Sequence, residues 1–493
     1  MWHAILLSCF LRISSACEFE PSSPQETGIV CRVTKPAALV LNEKTTEVIQ
    51  AAFRHASFPD ISGEKGVRFM GAVTYGLTNI QISNLSIENS EVELKEDDAV
   101  EIMIKNVSAS FKGTLNYGYG SWFVKVEQSV DFEIFSSTDL QVNTKLTCGN
   151  KRVAADTSDC YLTFHDLVLH LHGNKEPGWL KQLFTNFISF TLKLVLKSQI
   201  CKEINYVANL LASFIQDRAE NFLSDGDIGV NIDVTSFPVI KENYMESHHK
   251  GLLAYKNLTV YYNSSTFSPS LLTDNRMLYF WFSEYVLDSL VLAYFLDERL
   301  VLRLTGGELK DILKDDNTES HQQILKEILH DLPVDQTVTK VWSLTAPRIQ
   351  ITAKGTIVTS SVAVQINTSS STDLYFEMEI VTAVQASYAD KKLMLHPSDS
   401  VVHINDFRST LTVPVIEEFL QRTVSEFGIP AVVKRLESAL TSLMNSKGLD
   451  LFEIMNPEVI PHENIIDVPY PHDDIGCENI IAVREHKFAF PPS

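Results

Sequence analysis

A long apolar segment between Pro177 and Gly226 constrains the fold of this chain more than any other part of its sequence. It holds more apolar surface than one surface helix can bury against its own domain, yet lysines interrupt it too often for a membrane span. If most of the segment is helical, it extends for about 65 Å at a rise of about 1.5 Å per residue. The molecule is therefore expected to be elongated, or the helix bent, with other apolar material covering the segment.

Apolar residues recur at helical spacing in the second half of this segment, which indicates an amphipathic helix. The stripe consists of Ile200, Ile204, Val207, Leu211 and Phe214. Outside the first residues, the chain has no uncharged apolar run near the ~20 residues that a bilayer requires. An apolar lining of this kind without a membrane span is typical of a lipid carrier.

The charge and the motifs of the chain restrict its function. The 493 residues are enough for two large domains, and their formal net charge is −21. This acidity argues against a nucleic-acid surface, and the acidic N-terminal half argues against a strongly cationic binder of bacterial lipid A. The sequence has no GxSxG, HExxH, Walker or CxxC motif, so an enzyme that hydrolyses lipid is disfavoured. No cofactor or metal site is predicted, since His170 and His172 share a strand face without a third ligand.

Several features indicate the secretory pathway. Residues 1–16 resemble a signal peptide, with an apolar run followed by small residues, so a secreted, extracellular protein is expected. The chain has five Asn-x-Ser/Thr sequons, which are candidate glycosylation sites: Asn84, Asn106, Asn257, Asn263 and Asn367. Beyond the signal, six cysteines remain, whose pairing cannot be deduced from their spacing: Cys17, Cys31, Cys148, Cys160, Cys201 and Cys477.

Hydrophobic periodicity divides the chain into two halves with a similar pattern. In the first half, residues 28–60 are predicted as an amphipathic helix, and residues 73–161 alternate as antiparallel strands before the long helix. After that helix, residues 228–239 and 252–262 return to a strand pattern. Residues 257–276, which carry a Ser/Thr cluster and two sequons, are predicted to be a linker.

The second half repeats this order in outline. Residues 277–282 begin a strand or core segment, residues 287–296 and 308–332 are predicted to be helical, residues 338–386 alternate as strands, and residues 415–444 form a long amphipathic helix. Each half thus predicts a highly curved antiparallel sheet wrapped around a long helix. Such a wrap either leaves an apolar cavity or forms a sealed core, and the pattern alone does not distinguish the two.

Long blocks of the sequence match a known family. They include GIVCRVTKPA at 28–37, FPDISGEK at 58–65, EPGWLKQLFTNFISFTLKLVLKSQICKEIN at 176–205, LSDGDIGV at 223–230 and LMNSKG at 443–448. These blocks resemble the lipid-transfer and lipopolysaccharide-binding family, which includes phospholipid transfer protein and bactericidal permeability-increasing protein. The resemblance covers the chain from about Gly28 to Pro457 and is more specific than any short motif.

The resemblance implies an α+β fold, an elongated boomerang of two barrel-like domains joined by a central sheet and enclosing a lipid tunnel. The implied partners are cholesteryl ester, triglyceride, phospholipid and the surfaces of plasma lipoprotein particles. The implied activity is transfer of these lipids by a monomer, with no bond made or broken. Binding of bacterial lipopolysaccharide, or transfer of phospholipid, is the alternative on the same fold.

The resemblance also implies roles for individual residues. Cys160 and Cys201 match the disulfide of the family. Four polar residues match tunnel positions, where their side chains could orient an ester carbonyl: Gln216, Arg218, Ser247 and His249. The apolar lining is expected to include Ile204, Val207, Leu211 and Phe214. Asn106 and Asn257 coincide with glycosylated sequons of the family.

The expected domains follow from this resemblance. They are the signal peptide (1–16), an N-terminal lipid-binding barrel with part of the central sheet (17–256), the linker (257–276), a C-terminal barrel with the rest of that sheet (277–457) and a tail (458–493). The tail departs from the family, because its prolines forbid the short C-terminal amphipathic helix associated with neutral-lipid transfer. Cys477, in this tail, has no counterpart in the family.

Overall fold

A computed structural model of the chain describes residues 17, 27–40, 42, 50, 58–67, 71–87, 89–96, 99–121, 124–172, 178–256, 258, 276–308, 338–367, 372–409, 421–447, 458–462 and 465–470. The predicted signal peptide, Asn257, Asn263 and Cys477 lie outside these residues, as do nearly all of the predicted linker and of the predicted helix at 308–332. The domain boundaries at the linker therefore stay a prediction.

The chain forms two compact units. The first unit comprises Met1–Cys17, Val33–Ile215 and Phe237–Glu246. The second comprises Glu18–Arg32, Gln216–Ser236 and Ser247–Ser493.

The predicted strand pattern and long helices are confirmed. The strands of the described residues are β1 (Ile29–Thr34), β2 (Ile61–Val67), β3 (Gly71–Ser86), β4 (Asn89–Lys95), β5 (Ala99–Ser121), β6 (Val124–Gly149), β7 (Arg152–Leu171), β8 (Ile228–Asn231), β9 (Val239–Ile240), β10 (Tyr244–His249), β11 (Leu252–Tyr255), β12 (Leu278–Ser283), β13 (Val301–Thr305), β14 (Val338–Ser343), β15 (Arg348–Thr352), β16 (Gly355–Asn367), β17 (Thr372–Ala389), β18 (Lys392–Ser409), β19 (Ile460–His462) and β20 (Ile465–Tyr470). The main helices are α1 (Gly178–Leu223), α2 (Glu284–Leu296) and α3 (Ile429–Ser446), the last preceded by a π-helical turn at Val424–Gly428.

The sheet of the first unit is antiparallel, in the order β2-β3-β5-β6-β7, with β4 also paired to β5. Side chains alternate along its strands, and the inner face packs against Leu196, Ile200 and Ile204 of α1. Asn79 and Asn106 have left-handed φ values of 57° and 56° and lie at register shifts of the sheet. Such bulges bend and twist long strands, which suits a sheet that curves around a helix.

The main sheet of the second unit has the order β13-β14-β16-β17-β18, with β15 also paired to β16. Its core includes Val364, Phe376 and Met378, which pack with Ile429 at the start of α3. Both units therefore set a helix against one face of an antiparallel sheet, as the hydrophobic pattern predicts.

The described residues form two further sheets. One has the order β19-β20-β12-β1-β10-β9, and the other pairs β8 with β11. Helix α2 packs with the smaller sheet through Val286 and Ala293, which share a core with Ile228 and Leu253. The described part of the predicted tail is extended, since β20 pairs with both β19 and β12.

The predicted helix at residues 28–60 is wrong at its beginning. Residues 29–34 form β1, because the β-branched side chains of Ile29, Val30, Val33 and Thr34 favour an extended backbone. Helical backbone begins only at Lys35. The predicted continuous strand at residues 228–239 is also interrupted between β8 and β9, where Pro238 has no N–H group for a ladder.

Candidate functional site

Two asparagines fix α1 to the last strand of the first sheet. Asn209 Nδ2 donates to the carbonyl of Ala155 (2.7 Å), and Asn209 Oδ1 accepts from the N–H of Ala155 (3.1 Å). One turn earlier, Asn205 Oδ1 accepts from the N–H of Thr157 (3.1 Å) and from its hydroxyl (3.0 Å). Because β7 ends the sheet, these side chains satisfy backbone groups that a further strand would otherwise pair with.

Disulfides add covalent links in the same unit. Cys160 of β7 is joined to Cys201 of α1 with an S–S distance of 1.97 Å, the pairing that the resemblance implies. A second disulfide joins Cys17 to Cys148 of β6, which spacing alone had left open. Helix α1 is thus tied to β7 by a covalent bond and by side-chain hydrogen bonds.

The predicted apolar stripe of α1 divides into a buried and an exposed part. Ile200 and Ile204 are 3% and 8% exposed and pack in the core beneath the sheet, and Val207 is half-buried. Leu211 and Phe214 are 46% and 36% exposed. Five further apolar residues of α1 are exposed and are not part of the predicted lining: Leu194, Tyr206, Leu210, Ile215 and Phe222. Ile204 therefore contacts protein side chains, and the role of this stripe as a lipid lining stays a prediction.

Helix α3 is held in a similar way in the second unit. Glu437 Oε1 accepts from the N–H of Leu395 (2.6 Å), and Thr441 Oγ1 accepts from the N–H of Leu393 (3.1 Å) on β18, the last strand of its sheet. The helix also leaves large apolar side chains exposed: Val432 (44%) and Leu436 (47%). Each unit therefore presents apolar side chains on a helix whose polar side chains hold a sheet edge.

Helix α2 uses the same spacing with carboxylates. Asp288 Oδ1 accepts from the N–H of Ile349 (2.9 Å), and Glu284 Oε2 accepts from the N–H of Ile351 (2.9 Å). Partial burial raises the pKa of Asp288 above its usual value, although the Ile349 hydrogen bond opposes the shift. The three helices α1, α2 and α3 therefore share one arrangement. In each, two acceptor side chains four residues apart on the helix bond to N–H groups two residues apart on a strand.

Of the four predicted polar positions, the structure joins Ser247 and His249. His249 Nδ1 donates to the carbonyl of Ile232 (3.0 Å), which leaves Nε2 to accept from the hydroxyl of Ser247 (2.9 Å). Burial lowers the pKa of His249 and keeps the imidazole neutral. Both of its ring nitrogens are engaged within the protein, so the histidine orients Ser247. Gln216 is buried and Arg218 is exposed, and the role of all four residues in a tunnel stays a prediction.

Three predicted sequons can be located. Asn84 and Asn106 are exposed, and Asn367 is half-buried. Their glycosylation stays a prediction.

The strand face that carries His170 and His172 has an aromatic neighbour. His170 lies edge-on to Phe135, with 5.6 Å between ring centroids, and within the described ranges no three His, Cys, Asp or Glu side chains are grouped as metal ligands would be. In the same ranges, each helix is too short or too polar to cross a bilayer.

Comparisons with known proteins identify the family of the chain. Residues 39–214 match the LBP / BPI / CETP family, N-terminal domain, and residues 223–423 match the C-terminal domain of the same family. The chain is 52% identical to cholesteryl ester transfer protein of Gallus gallus, with 94% of each chain covered. It is 50% identical to cholesteryl ester transfer protein of Homo sapiens, over 94% of this chain and 95% of that one.

A crystal structure of lipopolysaccharide binding protein is also similar, at 17% identity and a TM-score of 0.47, covering 90% of this chain and 98% of the other. The two domain matches span most of the described residues, and the two relatives are about half identical over nearly the whole chain. The chain therefore belongs to the LBP / BPI / CETP family.

Proposed function

We propose that this protein is a secreted carrier that transfers cholesteryl ester and triglyceride, together with phospholipid, between plasma lipoprotein particles. One observation carries the proposal: relatives that are 52% and 50% identical over 94% of the chain are named cholesteryl ester transfer protein. The net charge of −21 supports this choice over binding of an anionic lipopolysaccharide, since like charges repel.

The helix faces supply a physical basis for carrying a neutral lipid. Moving an apolar chain into water costs about 0.8 kcal/mol per CH₂ group, so a free sterol ester faces a barrier on the order of tens of kcal/mol. The exposed side chains of α1, among them Leu211, Phe214 and Ile215, can replace water around such a chain. Val432 and Leu436 of α3 offer a comparable surface in the second unit.

The proposal includes transfer without chemistry. An ester carbonyl needs only a hydrogen-bond donor to be oriented, whereas hydrolysis needs an activated nucleophile and a base. Ser247 donates to a neutral histidine. However, the other histidine nitrogen donates to a backbone carbonyl in place of the carboxylate of a catalytic triad. The ester is expected to leave the protein intact.

Lipid extraction and a transfer assay test the proposal. Mass spectrometry of lipid from the purified secreted protein should detect cholesteryl ester and triglyceride. Radiolabelled cholesteryl ester in donor particles should then appear intact in acceptor particles at a rate proportional to protein concentration. Recovery of lipopolysaccharide or phospholipid alone would contradict neutral-lipid transfer, and release of labelled free fatty acid would contradict transfer without chemistry.

A further inference from the structure

A row of four residues crosses the sheet of the first unit and places a sequon beside an apolar pair. Asn84 of β3 lies opposite Ser110 of β5, and Ser110 lies opposite Phe135 of β6. Phe135 in turn lies opposite Val168 of β7. Since β3, β5, β6 and β7 are consecutive in the sheet, the row is continuous across four strands.

The row faces away from α1. Phe135 and Val168 are 46% and 47% exposed, and Asn84 is exposed as well. Their immediate neighbours along each strand belong to the core on the opposite side of the sheet: Leu85, Ile134 and Leu169. Because successive side chains of a strand alternate between faces, the asparagine and the apolar pair share the outer face.

Only a small side chain separates the asparagine from the aromatic ring. Ser110 is 7% exposed. The Ser83 hydroxyl lies 2.8 Å from the Ser110 hydroxyl and donates to the carbonyl of Ser110 at 3.2 Å. The register shifts between Ile82 and Asn84, so a bulge sets Ser83 and Asn84 against one partner residue. Two strand spacings, about 10 Å, separate Asn84 from Phe135.

We propose that Asn84 carries an N-linked glycan whose first sugars lie over Phe135 and Val168. The glycan is attached when the Asn84 amide nitrogen displaces a lipid diphosphate from C1 of the oligosaccharide donor. An N–C bond forms, the C–O bond breaks, and an amide proton is lost as the diphosphate departs. This inference rests on the secretion that is part of the proposed function.

Packing of the glycan against this pair has a physical reason. A sugar ring presents C–H groups on one face, and these groups pack against the negative face of an aromatic ring. His170 packs against one part of the Phe135 ring. Because Phe135 is still 46% exposed, the glycan can cover the part of the ring that the protein leaves open. Covering the pair removes exposed apolar area from a long sheet surface, which lowers the risk of association with other chains.

Site occupancy is the first test. The full chain is expressed in mammalian cells, purified from the medium and deglycosylated enzymatically in ¹⁸O water, and its peptides are analysed by mass spectrometry. The ¹⁸O label, which marks each asparagine that carried a glycan, is expected at Asn84 and at Asn106. Occupancy of Asn106 without Asn84 would overturn this inference alone, whereas an unlabelled chain retained inside the cells would also overturn the secretion in the proposed function.

A double-mutant comparison tests where the glycan lies. Removal of the sequon by Asn84→Gln should make hydrogen exchange of the β6 and β7 amides around Phe135 and Val168 about fivefold faster. In a Phe135→Thr background the same change should have almost no further effect. Ser86→Ala, which also removes the sequon but keeps Asn84, should behave like Asn84→Gln and guards against a folding defect.

The matched control is Asn106→Gln, which removes another exposed sequon. Its effect on exchange should be the same with and without Phe135→Thr. If the effects of Asn84→Gln and Phe135→Thr simply add, the glycan does not lie on Phe135 and the inference is wrong.

Discussion

Helix α1, which lies in the first unit up to Ile215, and α3 in the second unit each meet the last strand of a sheet through two polar side chains one turn apart. In α1 these are Asn205 and Asn209, which bond to backbone groups two residues apart on β7. In α3 they are Glu437 and Thr441, which bond to N–H groups two residues apart on β18. The two helices differ in the strength of the other contacts that hold them.

Helix α1 is fixed more strongly than α3. The amide of Asn209 both donates and accepts, and Cys201 is bonded to Cys160. Among the α1 side chains that the structure describes, three are buried in the main core of the first unit: Leu196, Ile200 and Ile204. In α3 the polar pair only accepts, and Ile429 is its one buried residue among those described.

This difference shows that a polar edge contact can set the position of a helix without a deep core. The polar side chains form hydrogen bonds with the backbone groups of the edge strand. Apolar side chains elsewhere on the helix therefore need not turn towards the sheet. In α1 this leaves Leu211 and Phe214 exposed, and in α3 it leaves Val432 and Leu436 exposed. The same arrangement therefore leaves an exposed apolar helix surface in both units.

The largest expected effect comes from the covalent link that only α1 possesses. The disulfide joins residues separated by 41 positions. Replacing Cys160 and Cys201 by serine should therefore destabilise the first unit by about 4 kcal/mol according to the chain-entropy estimate. Hydrogen exchange should become faster for β7 and stay unchanged for β18. An equal loss of protection in both sheets would contradict the assignment of the disulfide to the first unit alone.

The second effect comes from the two-way hydrogen bond of Asn209. Asn209→Ala removes both bonds to Ala155 and should cost roughly 2 kcal/mol at about 1 kcal/mol per bond. Asn209→Asp keeps an acceptor for the N–H but sets a carboxylate against the carbonyl of Ala155, so it should not restore protection at neutral pH. Denaturant unfolding and exchange of β7 amides measure both variants, with exposed Lys202→Ala as the control. Wild-type protection in Asn209→Asp would show that the donated bond contributes nothing.

A smaller effect is expected in the second unit. Thr441→Val keeps the shape of the side chain but removes the acceptor for Leu393, which should cost about 1 kcal/mol. Glu437→Gln keeps an acceptor for Leu395 and should cost less than Thr441→Val. Exchange of the Leu393 and Leu395 amides measures each bond separately. A loss from Thr441→Val as large as that from Asn209→Ala would remove the proposed difference between the units.

The smallest effect is expected from pH. Burial lowers the pKa of His249 below its usual value of 6.5, so the unfolded chain binds a proton first as the pH falls. The stability contributed by the neutral imidazole is therefore complete above about pH 6.5 and is lost between that pH and the lower folded-state pKa. Exchange of β10 amides, corrected for the intrinsic rate, should rise over this range in the wild type and change less in His249→Gln. A flat profile in the wild type would contradict the shift.

The sequence predicted the long helices and most strands because their hydrophobic periods are sustained over many residues. It failed at residues 29–34, where a short apolar run fits both a helix and a strand until β-branching is weighed. Asn205 and Asn209 lie outside the apolar stripe of the helix, and the sequence pattern does not indicate what they bond to. Their role depends on which strand ends the sheet, and that is a tertiary property. For the same reason the pattern could not separate buried Ile204 from exposed Leu211, which lie on the same stripe.

The central claim is that the exposed face of α1 carries neutral lipid, and the cholesteryl ester content of purified variants tests it most directly. Phe214→Arg and Leu211→Arg place a charge on this face, while Thr163→Arg places the same charge at an exposed position of β7. Mass spectrometry should find cholesteryl ester in the wild type and in Thr163→Arg, and roughly tenfold less in the two α1 variants, since burying an unpaired charge costs well over 1.4 kcal/mol. Equal cholesteryl ester content in all four folded proteins would contradict the claim.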